Sequence, residues 1–165
     1  MWNWLVDKLI ARAKRTPFVH LYHADGSPYM MRYWLLGRDG EKNSWWPAIR
    51  LHHICTKDND RHLHDHPWAF ISVVLRGKYI EQRPVDISPT GFVGEHEYTY
   101  STVRREGSVA FRWWTDRHYI RYVTPGGVWT LFVRFKRMHG WGFQTARGKI
   151  YHRDYESRHT AGDKS

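Results

Sequence analysis

Apolar and polar residues along this chain change period once. Over 2–15 (WNWLVDKLIARAKR), apolar side chains fall at 2, 5, 6, 9, 10 and 13, a helical spacing. Thr16-Pro17 ends that segment, because the residue before a proline avoids the helical region. Beyond it the pattern is one of short extended runs. Strands are predicted at 29–36, 47–54, 68–75, 78–83, 98–104, 108–114, 118–123 and 128–135. Turn clusters separate them: Gly37-Arg38-Asp39-Gly40, Gly77, Arg105-Glu106-Gly107, Thr115-Asp116-Arg117 and Thr124-Pro125-Gly126-Gly127. Residues 84–97, rich in Pro and Gly, form an irregular excursion of the kind that rims a pocket. From Trp141 the alternation dissolves, and 141–165 reads as a C-terminal extension with a frayed tail. Short strands with turns at this spacing predict an all-β antiparallel sandwich or barrel, residues 17–140, carrying the 1–16 helix against it.

Composition narrows the class. At 165 residues the chain is one domain of ordinary size, and its 10 Trp and 10 Tyr suit a β-rich fold with flat pocket walls. Cys55 is the single cysteine, so no intrachain disulfide forms. No apolar run approaches the roughly twenty residues of a membrane span. The N-terminus lacks a signal-peptide core and cleavage site, which leads to the expectation of a cytoplasmic protein. The net charge of +10 sits at the ends: 1–21 hold four Lys/Arg against one acidic residue and 134–165 hold eight against three. Basic ends attract nucleic acid, phosphorylated ligands or anionic surfaces, and are equally the ordinary solvated surface of a basic protein.

Candidate chemistry is concentrated in 58–81, DNDRHLHDHPWAFISVVLRGKYIE. His62, His64 and His66 are spaced by two, so on an extended segment their imidazoles project from one face. Pro67 rules out a helix there. The 68–75 run that follows is apolar on both faces apart from Ser72, placing the histidines at the mouth of a core, where neutral imidazoles are good ligands for a first-row metal. A solvent-facing histidine cluster has the same spacing, so a further ligand from elsewhere is required. Asp65 faces the other way and is expected to pair with a loop or a subunit. Of His52 and His53, at most one can look inward.

The chain resembles the cupins, small jelly-roll barrels that carry H-x-H-x3-E-x6-G and, later, G-x5-P-x-G-x2-H-x3-N. Counting back from Gly77 sets the first motif's histidines on His64 and His66; counting forward from Gly107 sets the second's on His118. The family's glutamate falls on Phe70, and its P-x-G and Asn fall on Trp113, Thr115 and Tyr122. The resemblance therefore implies a site of three neutral histidines, like that of the thiol dioxygenase branch. That branch often has a Cys–Tyr crosslink, which is not carried over because Cys55 precedes the HxH. The segments WTLFVRF and GWGFQT also resemble small cupin-like proteins of bacteria and their phages.

Those ligands imply a divalent metal, Fe(II) first and Zn, Mn or Ni as alternatives, with His62 as a fourth ligand or a partner of one. Parity continues the histidine face through Trp68, Phe70 and Ser72, and the His118 face through Ile120 and Tyr122. Tyr122 is then a candidate proton donor and Arg112 a candidate cation for a carboxylate or phosphate, although a packed tyrosine and an outward arginine satisfy the same parity. Tyr79 and Glu81 share a further face. Three functions follow. One is a mononuclear non-haem Fe(II) oxygenase, a dioxygenase-type oxidoreductase on a small anionic substrate. Another is a sugar-nucleotide epimerase or isomerase needing no catalytic metal. The third is a non-catalytic module, of the kind phages encode, whose basic ends meet nucleic acid or a host protein. The doubly apolar strand Ile71-Val73-Leu75 suggests pairing with a second subunit, a homodimer.

Overall fold

The computed structural model describes residues 1–37, 47–58, 62–85, 92–93 and 96–154. Helix α1 (Trp2–Ala13) is followed by thirteen strands. They are β1 (Phe18–Tyr22), β2 (Pro28–Leu36), β3 (Ala48–Ile54), β4 (Trp68–Arg76), β5 (Lys78–Pro84), β6 (Phe92–Val93), β7 (His96–Glu97), β8 (Thr99–Arg105), β9 (Val109–Arg112), β10 (Tyr119–Val123), β11 (Val128–Arg137), β12 (Gly142–Thr145) and β13 (Gly148–Tyr151). The pairings are antiparallel throughout. Six strands form one sheet in the order β1-β2-β3-β11-β4-β9, and three form a second, β10-β5-β8. Among the described residues the strands form these sheets and two hairpins rather than one continuously bonded ring.

Alternation assigns the two faces of the large sheet. Tyr33, Leu51, Leu75 and Trp129 lie outward and meet Val6, Ile10 and Ala13 of α1 in one core cluster. The apolar stripe predicted for 2–15 is thus the helix's buried face, and its cations Lys8, Arg12 and Arg15 border a shallow outer groove. This covering also accounts for the second apolar face of β4: Leu75 is buried under α1, with Val73 packed beside it. The opposite face turns toward the small sheet, where Met30, Ile54, Val74, Tyr79, Ile120 and Val128 form a second cluster. Met30, Ile54, Tyr79 and Ile120 of that cluster also line a cavity between the sheets.

Turn chemistry fixes how tightly the ends pack. Gly77 joins β4 to β5 at φ +86°, and a Cβ there would stand 2.7 Å from the Gly127 carbonyl oxygen. Only glycine allows both the backbone sign and the approach.

Two elements depart from the sequence reading. β1 was not predicted: its burial alternates weakly because it is the edge strand, paired on one side only. Residues 142–151, expected as extension, form the hairpin β12–β13 with Phe143 and Gln144 buried. Four glycine, tryptophan and phenylalanine positions (GWGF) break any period, yet the hairpin needs Gly142, where an added Cβ would collide with the Ile150 carbonyl. Most of the 84–97 excursion and the 156–165 tail lie outside the described residues. No described helix is long and apolar enough to cross a membrane.

Candidate metal centre

The segment carrying the first two histidines is not a regular strand. His64 forms isolated antiparallel bridges on both sides, to His118 and to Phe143. Its amide donates to the His118 carbonyl at 3.0 Å and its carbonyl accepts from the His118 amide at 3.0 Å, so the two histidines are clamped backbone to backbone across 54 residues of sequence. Asp65 secures the other side. Its carboxylate accepts from the Gly142 amide at 2.9 Å and from Lys149 Nζ at 2.6 Å, and its own amide donates to the Gly142 carbonyl. Asp65 thus faces away from the triad, as expected, and its partner is a strand hairpin rather than a loop or a subunit.

His64, His66 and His118 each offer one nitrogen such that all three atoms lie within 4.8 Å of one another. His66 Nε2 and His118 Nε2 are 2.8 Å apart, one ring donating to the other. A proton on that line is what a divalent cation displaces. Burial lowers His64 to about 4 and His66 well below the usual imidazole value, with the neighbouring rings adding to the effect, so both keep free lone pairs at neutral pH. Convergent and set in the cavity wall, the three rings fit a divalent metal.

Carboxylates stand behind two of these rings. Glu81 Oε1 is 2.9 Å from His118 Nδ1, and Asp58 Oδ2 is 4.0 Å from His64 Nδ1. Asp58 is itself held by the Ile120 amide at 2.7 Å and by the Tyr29 hydroxyl. Glu81 is 1% exposed and gripped by Arg112, whose Nη2 donates to both oxygens at 2.8 and 2.6 Å and whose Nε donates at 3.1 Å. Arg104 Nε adds a bond at 3.0 Å. Burial on its own raises Glu81, but the His118 ring and the Arg112 guanidinium outweigh it and hold the carboxylate far below its usual range. A carboxylate placed behind a ligating histidine orients the ring and raises its basicity.

The predicted residues sort as follows. His64, His66 and His118 come together. His62 does not join them among the described residues, because the chain bends at it and the extended spacing stops there. Arg112 points inward, but its guanidinium is engaged by Glu81 and by the Phe111 carbonyl, so it positions a carboxylate of the protein. Tyr122 is placed outside the cavity, 41% exposed. A bulge after Ile120 pairs Ile120 with Glu81 but Tyr122 with Ile80, and the extra residue, Arg121, reverses the parity. Tyr122 and Cys55 instead border a shallow outer pocket. Tyr79, the weaker candidate, lines the cavity, and burial pushes its phenol well up so that it stays neutral.

The cavity has a volume of about 480 Å³ and is walled by Phe70, Phe132, Trp141 and Phe143 beside the triad. Trp68, Phe70 and Ser72 of β4 line it, as alternation predicted. Sequence reasoning missed Asp58, Arg32, Arg50 and Trp141. Alternation along PAIRLHHI was the available signal: Arg50 and His52 share the inward face, while His53 stacks outward on Trp129 at 4.3 Å. His52 is buried, and that burial, reinforced by Arg32 and Arg50, holds it neutral.

No protein-family model matches the chain, and no curated protein does. Among solved structures it is similar to the DMSP lyase DddQ from Ruegeria pomeroyi DSS-3, at 16% identity over 86% of this chain and 68% of that one, with a TM-score of 0.56. It is also similar to Fe(II)-HppE with the alternative substrate (S)-1-HPP, at 14% identity over 74% of this chain, with a TM-score of 0.51. The match spans 57% of the HppE chain. At such identities the likeness is one of fold, and the fold is that of the cupins.

Proposed function

We propose that the protein is a mononuclear non-haem Fe(II) oxygenase acting on a small anionic substrate, with His64, His66 and His118 as the metal ligands. The observation that carries this reading is the convergence of three imidazoles on the wall of an aromatic cavity. When bound, Fe(II) supplies redox chemistry with dioxygen and, lacking a charged protein ligand, retains both positive charges to attract an anion. The fold-alike described as Fe(II)-HppE supports iron. Zn, Mn and Ni suit the same donors, and zinc would favour activation of water.

The chain's own residues have defined parts. Glu81, fixed by Arg112 and Arg104, holds His118 with Nδ1 turned away and Nε2 toward the cavity. Phe70, Phe132 and Phe143 exclude water from the reacting face, which strengthens each electrostatic contact made there. Tyr79, kept neutral, is a hydroxyl donor in the wall.

Anaerobic purification and reconstitution with ferrous iron tests the proposal. The expected result is one iron per chain, lost in His64→Ala and His118→Ala, with oxygen uptake on adding a substrate carboxylate or phosphonate. Protein that retains no metal under these conditions overturns it.

A second reading rests on the His118–Glu81 pair. An imidazole backed by a buried carboxylate, with the Tyr79 phenol nearby in the same wall, also suits metal-free proton transfer of the epimerase type. That reading predicts turnover unaffected by chelators, whereas the oxygenase loses activity.

A further inference from the structure

The cavity is polar at two places, and only one is the histidine triad. On β2 and β3, Arg32, Arg50 and His52 also line it. Arg32 pairs with His52 across the two strands, and Arg50 lies between Trp34 and Phe132 in register. Arg50 is 1% exposed, with its guanidinium 5.4 Å from the Trp34 ring and 5.8 Å from the Trp68 ring. Stacking on indoles keeps an arginine cationic and oriented in a dry wall. His52 Nε2 has no hydrogen-bond partner among the described residues although the side chain is 94% buried, its residual exposure being 6%. A buried polar atom left in that state is the kind that a polar ligand completes.

Between the two places runs an apolar track of rings. His52 stacks on Phe132 at 4.6 Å, Phe132 meets Phe70 at 4.7 Å, and Phe70 meets His66 edge-on at 4.9 Å. Because β11 separates β3 from β4, His52 and Phe70 stand on strands two spacings apart, roughly 10 Å, and the triad lies beyond Phe70. Allowing about 2.8 Å for a polar contact at each end, the terminal oxygens of an occupant must stand more than about 4 Å apart, which favours dicarboxylates longer than malonate.

We propose that Arg32, Arg50 and His52 form an anion site, and that the substrate is a short, two-ended molecule. Its head reaches the histidine triad, its carboxylate or phosphonate tail reaches β2 and β3, and an apolar middle lies over Phe132 and Phe70. The head rests on the metal-centre reading above; the tail site does not.

Calorimetry with the dicarboxylates malonate to pimelate, and with pentanoate, tests this on zinc-loaded and metal-free protein. With zinc, affinity should peak at glutarate or adipate and fall at least tenfold for malonate and for pentanoate. In metal-free protein, pentanoate should still bind and quench tryptophan emission, because Trp68 faces Arg50. Arg50→Met and His52→Phe should each weaken pentanoate tenfold or more without changing zinc affinity. Arg50→Lys, which retains the charge, should weaken it less. Pentanoate binding indifferent to both Arg50 variants and to His52→Phe overturns the anion site. A flat dependence on chain length in the zinc-loaded, wild-type protein overturns the two-ended substrate without recourse to any variant. Failure to bind zinc, with Arg50-dependent pentanoate binding intact, refutes the metal centre and leaves the anion site standing.

Discussion

Glu81 is the residue on which the geometry of the centre turns. It is a carboxylate with almost no solvent, made tolerable by two arginines and directed at the one histidine contributed by the second motif. Glu81→Gln keeps the shape but weakens what holds Arg112 and His118. The expected outcome is a loss of metal affinity of about 10- to 100-fold with the fold retained, measured by chelator competition with cobalt or zinc. His64 and His52 make a separate prediction for metal-free protein. Both stay neutral in the folded chain, whereas the unfolded chain protonates them near 6.5. Unfolding therefore takes up protons, and stability falls as pH is lowered from 6.5 toward about 4, where His64 becomes protonated in both states and its share levels off. A displacement of this size corresponds to about 3 kcal/mol for His64, to be read from denaturant midpoints across that range.

At the scale of elements, the hairpin β12–β13 completes the site. Trp141 and Phe143 wall the cavity, and Asp65, between His64 and His66, fastens the hairpin. Asp65→Ala leaves the Gly142 amide without its acceptor, at a cost of about 1–3 kcal/mol. Hydrogen exchange should accelerate at 142–151 first and then at 63–66, and metal affinity should fall with it. Helix α1 gives the opposite result. Ile10→Ala, on the outer face of the large sheet, should cost about 2–5 kcal/mol in stability and leave metal affinity unchanged, because the sheet lies between helix and cavity.

Across the whole molecule, the histidine triad and part of the packed cluster line one cavity between the sheets. Metal binding is then linked to folding. At a concentration about 100 times its dissociation constant, a divalent ion should add about 2.7 kcal/mol to stability, an increase absent in His118→Ala when both are followed by thermal unfolding.

Period and spacing were enough for the parts that depend on local chemistry. The N-terminal helix, most strand positions, the alternation of Trp68, Phe70 and Ser72, and the candidacy of His64, His66 and His118 were all legible, because side-chain direction along a strand follows from backbone geometry alone. Tertiary structure decided the rest, through features that have no local signature. A one-residue bulge turned Tyr122 out, and a buried partner converted Arg112 from a substrate-binding cation into a support for Glu81. A hairpin with no periodic pattern became a wall because its backbone could pair with His64 and Asp65. Which strands face one cavity, and which charges there already have partners, are relations between segments far apart in the chain, and only the packed sheets bring them into contact.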